Sequence, residues 1–132
     1  MSERASVVDR ISASYKEVDI FCLKVKKVIK EHGLDKELFS LQLMLREGLI
    51  NAVTHGCNNK RDLKIDCSLL IYDNEYIIEI GDPGKGFEWE TPGTEINLED
   101  ASGRGLSIID KYSTSFKFNE KGNKLTIRKI IK

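Results

Sequence analysis

Residues 38–56 read LFSLQLMLREGLINAVTHG. The apolar side chains Leu38, Leu41, Leu45, Leu49 and Ala52 recur every three or four positions, with Phe39, Leu43, Ile50 and Val53 alongside. That spacing is helical, and the stretch is too long for one strand. The helix is apolar nearly all round, which predicts a buried central helix rather than a surface one. Glu47, Asn51 and His55 are set into it, each four residues after the last. Four residues amount to about 400° of rotation and roughly 6 Å of rise, so the three form one slanting polar stripe. A carboxylate and an amide on a buried helix are costly unless a neighbouring element or a ligand satisfies them.

Working outward, residues 5–12 alternate weakly and read as a first strand. Residues 15–33 follow an amphipathic helical template through Val18, Phe21, Cys22, Val25, Val28, Ile29 and His32, with lysines on the other side and Gly33 as a stop. His32 continues the apolar stripe at the helix end and reads as a capping or half-buried residue. Beyond Gly56, Asn58, Asn59 and Asp62 form a polar turn. Residues 63–72 and 75–82 read as a hairpin about Asp73-Asn74. Ile78, Ile80 and Asp82 share parity, so a carboxylate ends a core-facing row. Pro83 pushes Asp82 to extended geometry at the strand's last position. Residues 87–102 show no clear period, which marks a lid or binding loop. Gly103-Arg104-Gly105 opens a short helix as far as about Tyr112. Two strands, 115–119 and 124–131, close the chain about a turn carrying Gly122. The predicted fold is a single domain over residues 1–132: an α/β (α+β) two-layer sandwich, with a mixed, mostly antiparallel sheet and three helices on one face.

The bulk composition is that of an ordinary globular chain of 132 residues. Lys+Arg and Asp+Glu balance at 21 each, which argues against direct nucleic-acid or membrane-surface binding. Cys22, Cys57 and Cys67 are odd in number and lack C-x-x-C spacing, so neither a disulfide framework nor a zinc site is expected. The N-terminus lacks the apolar core of a signal peptide and no run suffices for a membrane span, so a cytoplasmic protein is expected.

Three elements converge in this reading. The central helix offers Glu47 and Asn51, and the strand end offers Asp82. Gly84 and Gly86 let the backbone turn tightly and come close to something. Gly103 and Gly105 open a helix whose backbone N–H groups are a ready anion site, and Arg104 between them can fork onto phosphate oxygens. The amide oxygen of Asn51 suits Mg²⁺, which takes one or two protein oxygens together with substrate phosphates. Glu47, one turn earlier, is placed to accept a proton from a group attacking the terminal phosphate. Asp82 can accept a hydrogen bond from an exocyclic amine, a means of selecting adenine.

The motif Glu47-x-x-x-Asn51-Ala52-x-x-His55-Gly56 resembles the N box of the Bergerat-type ATP-binding fold, shared by gyrase, the MutL proteins, a heat-shock chaperone and the histidine kinases. Asp82-x-Gly84-x-Gly86 resembles its first glycine box and Gly103-Arg104-Gly105-Leu106 its second, in the right order about a lid. NAVTHG, DPGKGFEWETP, SGRGLSIID and GNKLTI are closest to bacterial anti-sigma-factor serine/threonine kinases, a resemblance covering residues 5 to 130 or so. It implies ATP and Mg²⁺ as cofactors, with Asn51 on the metal, Glu47 as the base, Asp82 on adenine, and the glycines and lid around the phosphates. It also implies a homodimer that sequesters a sigma factor and phosphorylates a serine on a STAS-domain anti-anti-sigma partner. Two departures stand out. Asn123 occupies the position after the last glycine where relatives often carry Thr near the adenine, and Ser107 replaces a third glycine in the second box. The alternatives are an ATP-gated binding module, with Trp89 in its lid, and a histidine-kinase-type domain acting on a separate phosphoacceptor chain. No P-loop, dinucleotide-binding or eukaryotic-type kinase motif is present.

Overall fold

In the computed structural model, residues 3–84 and 106–131 are described. Strand β1 (Glu3–Ser12) leads into helix α1 (Tyr15–Glu31). Ser14 caps α1 by accepting the Glu17 N–H at 3.3 Å. Gly33, at φ +69°, ends it in the left-handed conformation glycine tolerates. His32 is its half-buried C-cap. A 3-10 turn (Asp35–Glu37) then starts α2 (Leu38–Asn51), which runs on as a π-helical turn (Ala52–Gly56). The polar turn expected after it is present, with Asn58 and Asn59 both at positive φ. Strands β2 (Lys64–Tyr72) and β3 (Glu75–Gly81) form the expected hairpin. Helix α3 (Leu106–Tyr112) and strands β4 (Ser115–Phe118) and β5 (Lys124–Ile130) are the remaining elements among the described residues.

The strands form one sheet in the order β1-β2-β3-β5-β4, and all four pairings are antiparallel. The expected sandwich is therefore present, in its wholly antiparallel form. Strand β5 inserts between β3 and β4, pairing Gly81 with Lys124, so the β4–β5 turn lies beside the end of β3.

One sheet face is apolar and buried: Ile65, Cys67, Leu69 and Ile71 of β2, Tyr76, Ile78 and Ile80 of β3, Leu125 and Ile127 of β5. Against it pack Val18, Phe21, Val25 and Ile29 of α1, Leu41, Leu45 and Leu49 of α2, and Leu106 and Ile109 of α3. The other face carries cross-strand ion pairs, Arg10–Asp66, Lys124–Glu79 and the bidentate Arg128–Glu75, as an antiparallel sheet wetted on one side should. Among the described residues no helix is long and apolar enough to cross a membrane.

All three cysteines are free and buried. Burial pushes the Cys67 thiol up to about 12, and the nearby Asp9 and Asp66 charges add to the shift. The folded state therefore holds this proton more tightly than the unfolded chain does. The stabilisation is complete below the ordinary thiol range and is lost as pH rises toward 12. Urea unfolding should accordingly show stability declining above the ordinary thiol range, with a shallower decline in Cys67→Ala. In the same assay at neutral pH, Leu45→Ala should cost about 2–5 kcal/mol, whereas Leu23→Ala should change stability by less than about 0.5 kcal/mol. Leu45 is fully buried and Leu23 is 65% exposed.

Candidate functional site

The end of α2 is wound differently from its body. The Cys57 N–H reaches back five residues to the Ala52 carbonyl at 2.8 Å, and the Asn59 N–H bonds the Val53 carbonyl at 2.9 Å. Such π turns occur often at functional sites. A physical reason for this one lies in two glycines. A Cβ on Gly48 would sit 2.6 Å from Ile80 Cδ1, and one on Gly56 would sit 2.3 Å from Asp82 Cγ. Both glycines thus press directly on β3 and its extension. Eight α-helical steps would leave Gly56 about 80° around the axis from Gly48. The wider π turn takes up most of that difference and brings both onto the sheet. The same change of winding carries His55 out to solvent, so it does not continue the half-buried stripe of Glu47 and Asn51.

Asp82 stands immediately after β3, and its N–H still extends the ladder to the Asn123 carbonyl at 3.0 Å. Its side chain lies on the helix side, as its parity with Ile78 and Ile80 requires, against the bare Cα of Gly56. Oδ1 accepts the Gly84 N–H at 2.8 Å. A Cβ on Gly84 would meet the Gly56 carbonyl oxygen at 2.3 Å. Gly56, Asp82 and Gly84 therefore form one close-packed knot between the helix end and the strand end. Cys57 is fully buried beside it, and burial first and the Asp82 charge second push its thiol up.

Asn51 lies on the helical segment between the two contact glycines. Its Oδ1 is buried and has no hydrogen-bond partner among the described residues. An orphaned buried amide oxygen carries a desolvation cost, and a cation or donor arriving there would relieve it. Glu47, one turn earlier, is half-buried. No described strand residue satisfies the Asn51 oxygen; Glu37 Oε1 and Tyr76 OH are likewise buried without a partner among the described residues. Of the residues expected from the motifs, Glu47, Asn51, Asp82 and Gly84 lie along the facing ends of α2 and β3. Gly86, Gly103, Arg104, Gly105 and Trp89 fall outside the described residues.

Sequence reasoning missed Gly48 and the role of Asn119. Gly48 could have been noticed as a bare position on an otherwise bulky helix. Asn119 precedes a Gly122 turn, a common place for a side chain that bonds its own backbone. Its Oδ1 accepts the N–H groups of Gly122, Asn123 and Lys124 at 2.9, 3.0 and 3.2 Å. Asn123 in turn donates its Nδ2 to the Gly84 carbonyl at 3.2 Å.

Comparison with known proteins agrees with this architecture. The family described as the histidine kinase-like ATPase domain matches residues 11–129, from β1 into β5 and across every element of the site. An anti-sigma F factor of Clostridium botulinum (strain Eklund 17B / Type B) is 29% identical over 101 residues, covering 70% of this chain and 71% of the relative. An anti-sigma F factor of Clostridium acetobutylicum is 28% identical over 102 residues, covering 71% of each.

The glycine knot makes a sharp contrast testable. In Gly84→Ala the new methyl meets backbone, which cannot swing aside, and stability should fall by about 1–3 kcal/mol in urea unfolding. In Gly81→Ala the nearest atom to the new Cβ is Lys124 Cγ at 3.9 Å, an ordinary contact, and the change should be much smaller.

Proposed function

The chain belongs to the histidine kinase-like ATPase domain family, and from that premise we propose that it is an ATP-binding anti-sigma factor with serine/threonine protein kinase activity. In this reading it sequesters a sigma factor and phosphorylates a serine of a STAS-type anti-anti-sigma partner. It acts in the cytoplasm as a homodimer, regulating transcription without touching nucleic acid itself. Its similarity to anti-sigma F factors supports the sigma-factor partner. The balanced charge, 21 basic against 21 acidic residues, suits a protein partner rather than a polyanion.

The observation that carries the reading is the buried Oδ1 of Asn51, unpartnered among the described residues and held between two glycines that clamp α2 to β3 and to Asp82 just beyond it. A neutral oxygen donor there fits Mg²⁺, which neutralises phosphate charge when bound with ATP. Glu47 lies one helical turn before it and would accept the proton of the attacking serine hydroxyl. Asp82, anchored by the Gly84 N–H, would accept the exocyclic amine of adenine. The glycines at 84, 86, 103 and 105 and the guanidinium of Arg104 would bind the phosphates, as their motifs imply.

Calorimetric titration with Mg-ATP and transfer from labelled ATP to a purified STAS partner test this. Wild type should bind ATP and yield acid-stable phosphoserine; an acid-labile product would instead assign a histidine-kinase-type acceptor. Asn51→Ala should abolish Mg²⁺-dependent ATP binding. Glu47→Ala should retain binding and lose roughly 10²–10⁴-fold in transfer. Full transfer by Glu47→Ala would remove the base assignment.

A further inference from the structure

The turn between β4 and β5 is joined to the candidate site by a run of side-chain amides whose orientations fix one another. The Gly84 carbonyl can only accept, so Asn123 must present its NH₂ group to it, at 3.2 Å. That leaves the Asn123 side-chain oxygen facing Asn119, whose Nδ2 donates to it at 2.9 Å. The Asn119 oxygen is thereby turned onto the N–H groups of Gly122, Asn123 and Lys124. Asn123 also takes the Asp82 N–H on its own backbone carbonyl, at 3.0 Å. The Asp82–Gly84 turn is therefore held at both ends by one residue: by its backbone at Asp82 and by its side chain at Gly84. Within that turn the Gly84 N–H donates to Asp82 Oδ1 at 2.8 Å. Whatever moves Gly84 moves the carboxylate.

We infer that Asn119 and Asn123 are positioning residues that aim the Asp82 carboxylate, and that they set how strongly the site prefers a purine bearing an exocyclic amine. The inference rests on the ATP-binding reading above and assigns the selectivity of that same site. In it Asn123 acts through Gly84 and Asp82, with its amide spent on bracing the turn. An aspartate at position 123 would set an acceptor against the Gly84 carbonyl and add a negative charge beside Asp82, at almost unchanged size.

The test is calorimetric binding of Mg-ATP and of Mg-inosine triphosphate, which differ at the purine 6-position, where an amine is replaced by oxygen. The proteins are wild type, Asp82→Asn, Asn123→Asp and Asn119→Ala, each with a thermal melt. Wild type should prefer ATP by roughly tenfold or more, the scale of one hydrogen bond to a charged group. Asn123→Asp should bring the two nucleotides within about threefold by weakening ATP, with inosine triphosphate changed less than about twofold. Asn119→Ala should lose part of the preference, and it decides the question if Asn123→Asp does not fold. Parallel weakening of both nucleotides, with the ratio kept, would show a merely structural role and overturn the inference while ATP binding stands. Absence of ATP binding in wild type would overturn the nucleotide reading and this inference with it; an undiminished preference in Asp82→Asn would remove Asp82 from adenine recognition and overturn the inference while ATP binding stands.

Discussion

The absence of two Cβ atoms governs how this fold closes. Gly48 and Gly56 let α2 lie directly on β3 and on Asp82, where any side chain would have to stand off. At Gly48 the neighbours come from three elements at once: Ile80 of β3, Leu125 of β5 and Ile109 of α3. Helix, sheet and second helix meet there. The π turn follows from the same constraint, because regular winding would rotate Gly56 away from the strand end. A local irregularity of backbone thus has a tertiary cause.

That close approach determines where polar groups go unsatisfied. The body of α2 is apolar and well packed, as its buried leucines show. Only near its last regular turn does it carry an amide oxygen with no partner among the described residues. Two other buried polar atoms among the described residues share that condition, Glu37 Oε1 and Tyr76 OH, but neither lies between the contact glycines. The Asp82 carboxylate is handled in the opposite way. It is tied to the Gly84 N–H and wedged against Gly56, so its orientation is set by the fold itself. Preorganisation of this kind lowers the ordering cost of binding.

Most of the architecture was legible because it rests on local periodicity. The 3.6-residue stripes of α1 and α2 and the two-residue alternation of β2 and β3 lie in contiguous segments, and so does the parity that turned Asp82 inward. The motif residues Glu47, Asn51, Asp82 and Gly84 could be named because their chemistry and spacing are themselves sequence properties. What could not be read depends on juxtaposing distant segments. Nothing near Gly48 announces Ile80, and nothing in residues 52–56 distinguishes π from α winding without Asp82 opposite. The insertion of β5 beside β3 is likewise a non-local choice, since a meander would have paired β3 with β4. The link from Asn119 through Asn123 to Gly84 exists only once that choice is made.

The sheet order also bears on synthesis. The strand that flanks the end of β3 is β5, at residues 124–130, synthesised after the other four described strands. Until it emerges, β3 is an unpaired edge, Asp82 has no Asn123 carbonyl to bond, and Leu125 is missing from beneath Gly48. A nascent chain carrying every motif residue of the site still lacks its floor. Assembly of the site is therefore tied to contacts of long sequence separation, formed late and slowly. An incompletely synthesised copy would hold the motifs without the geometry that gives them use.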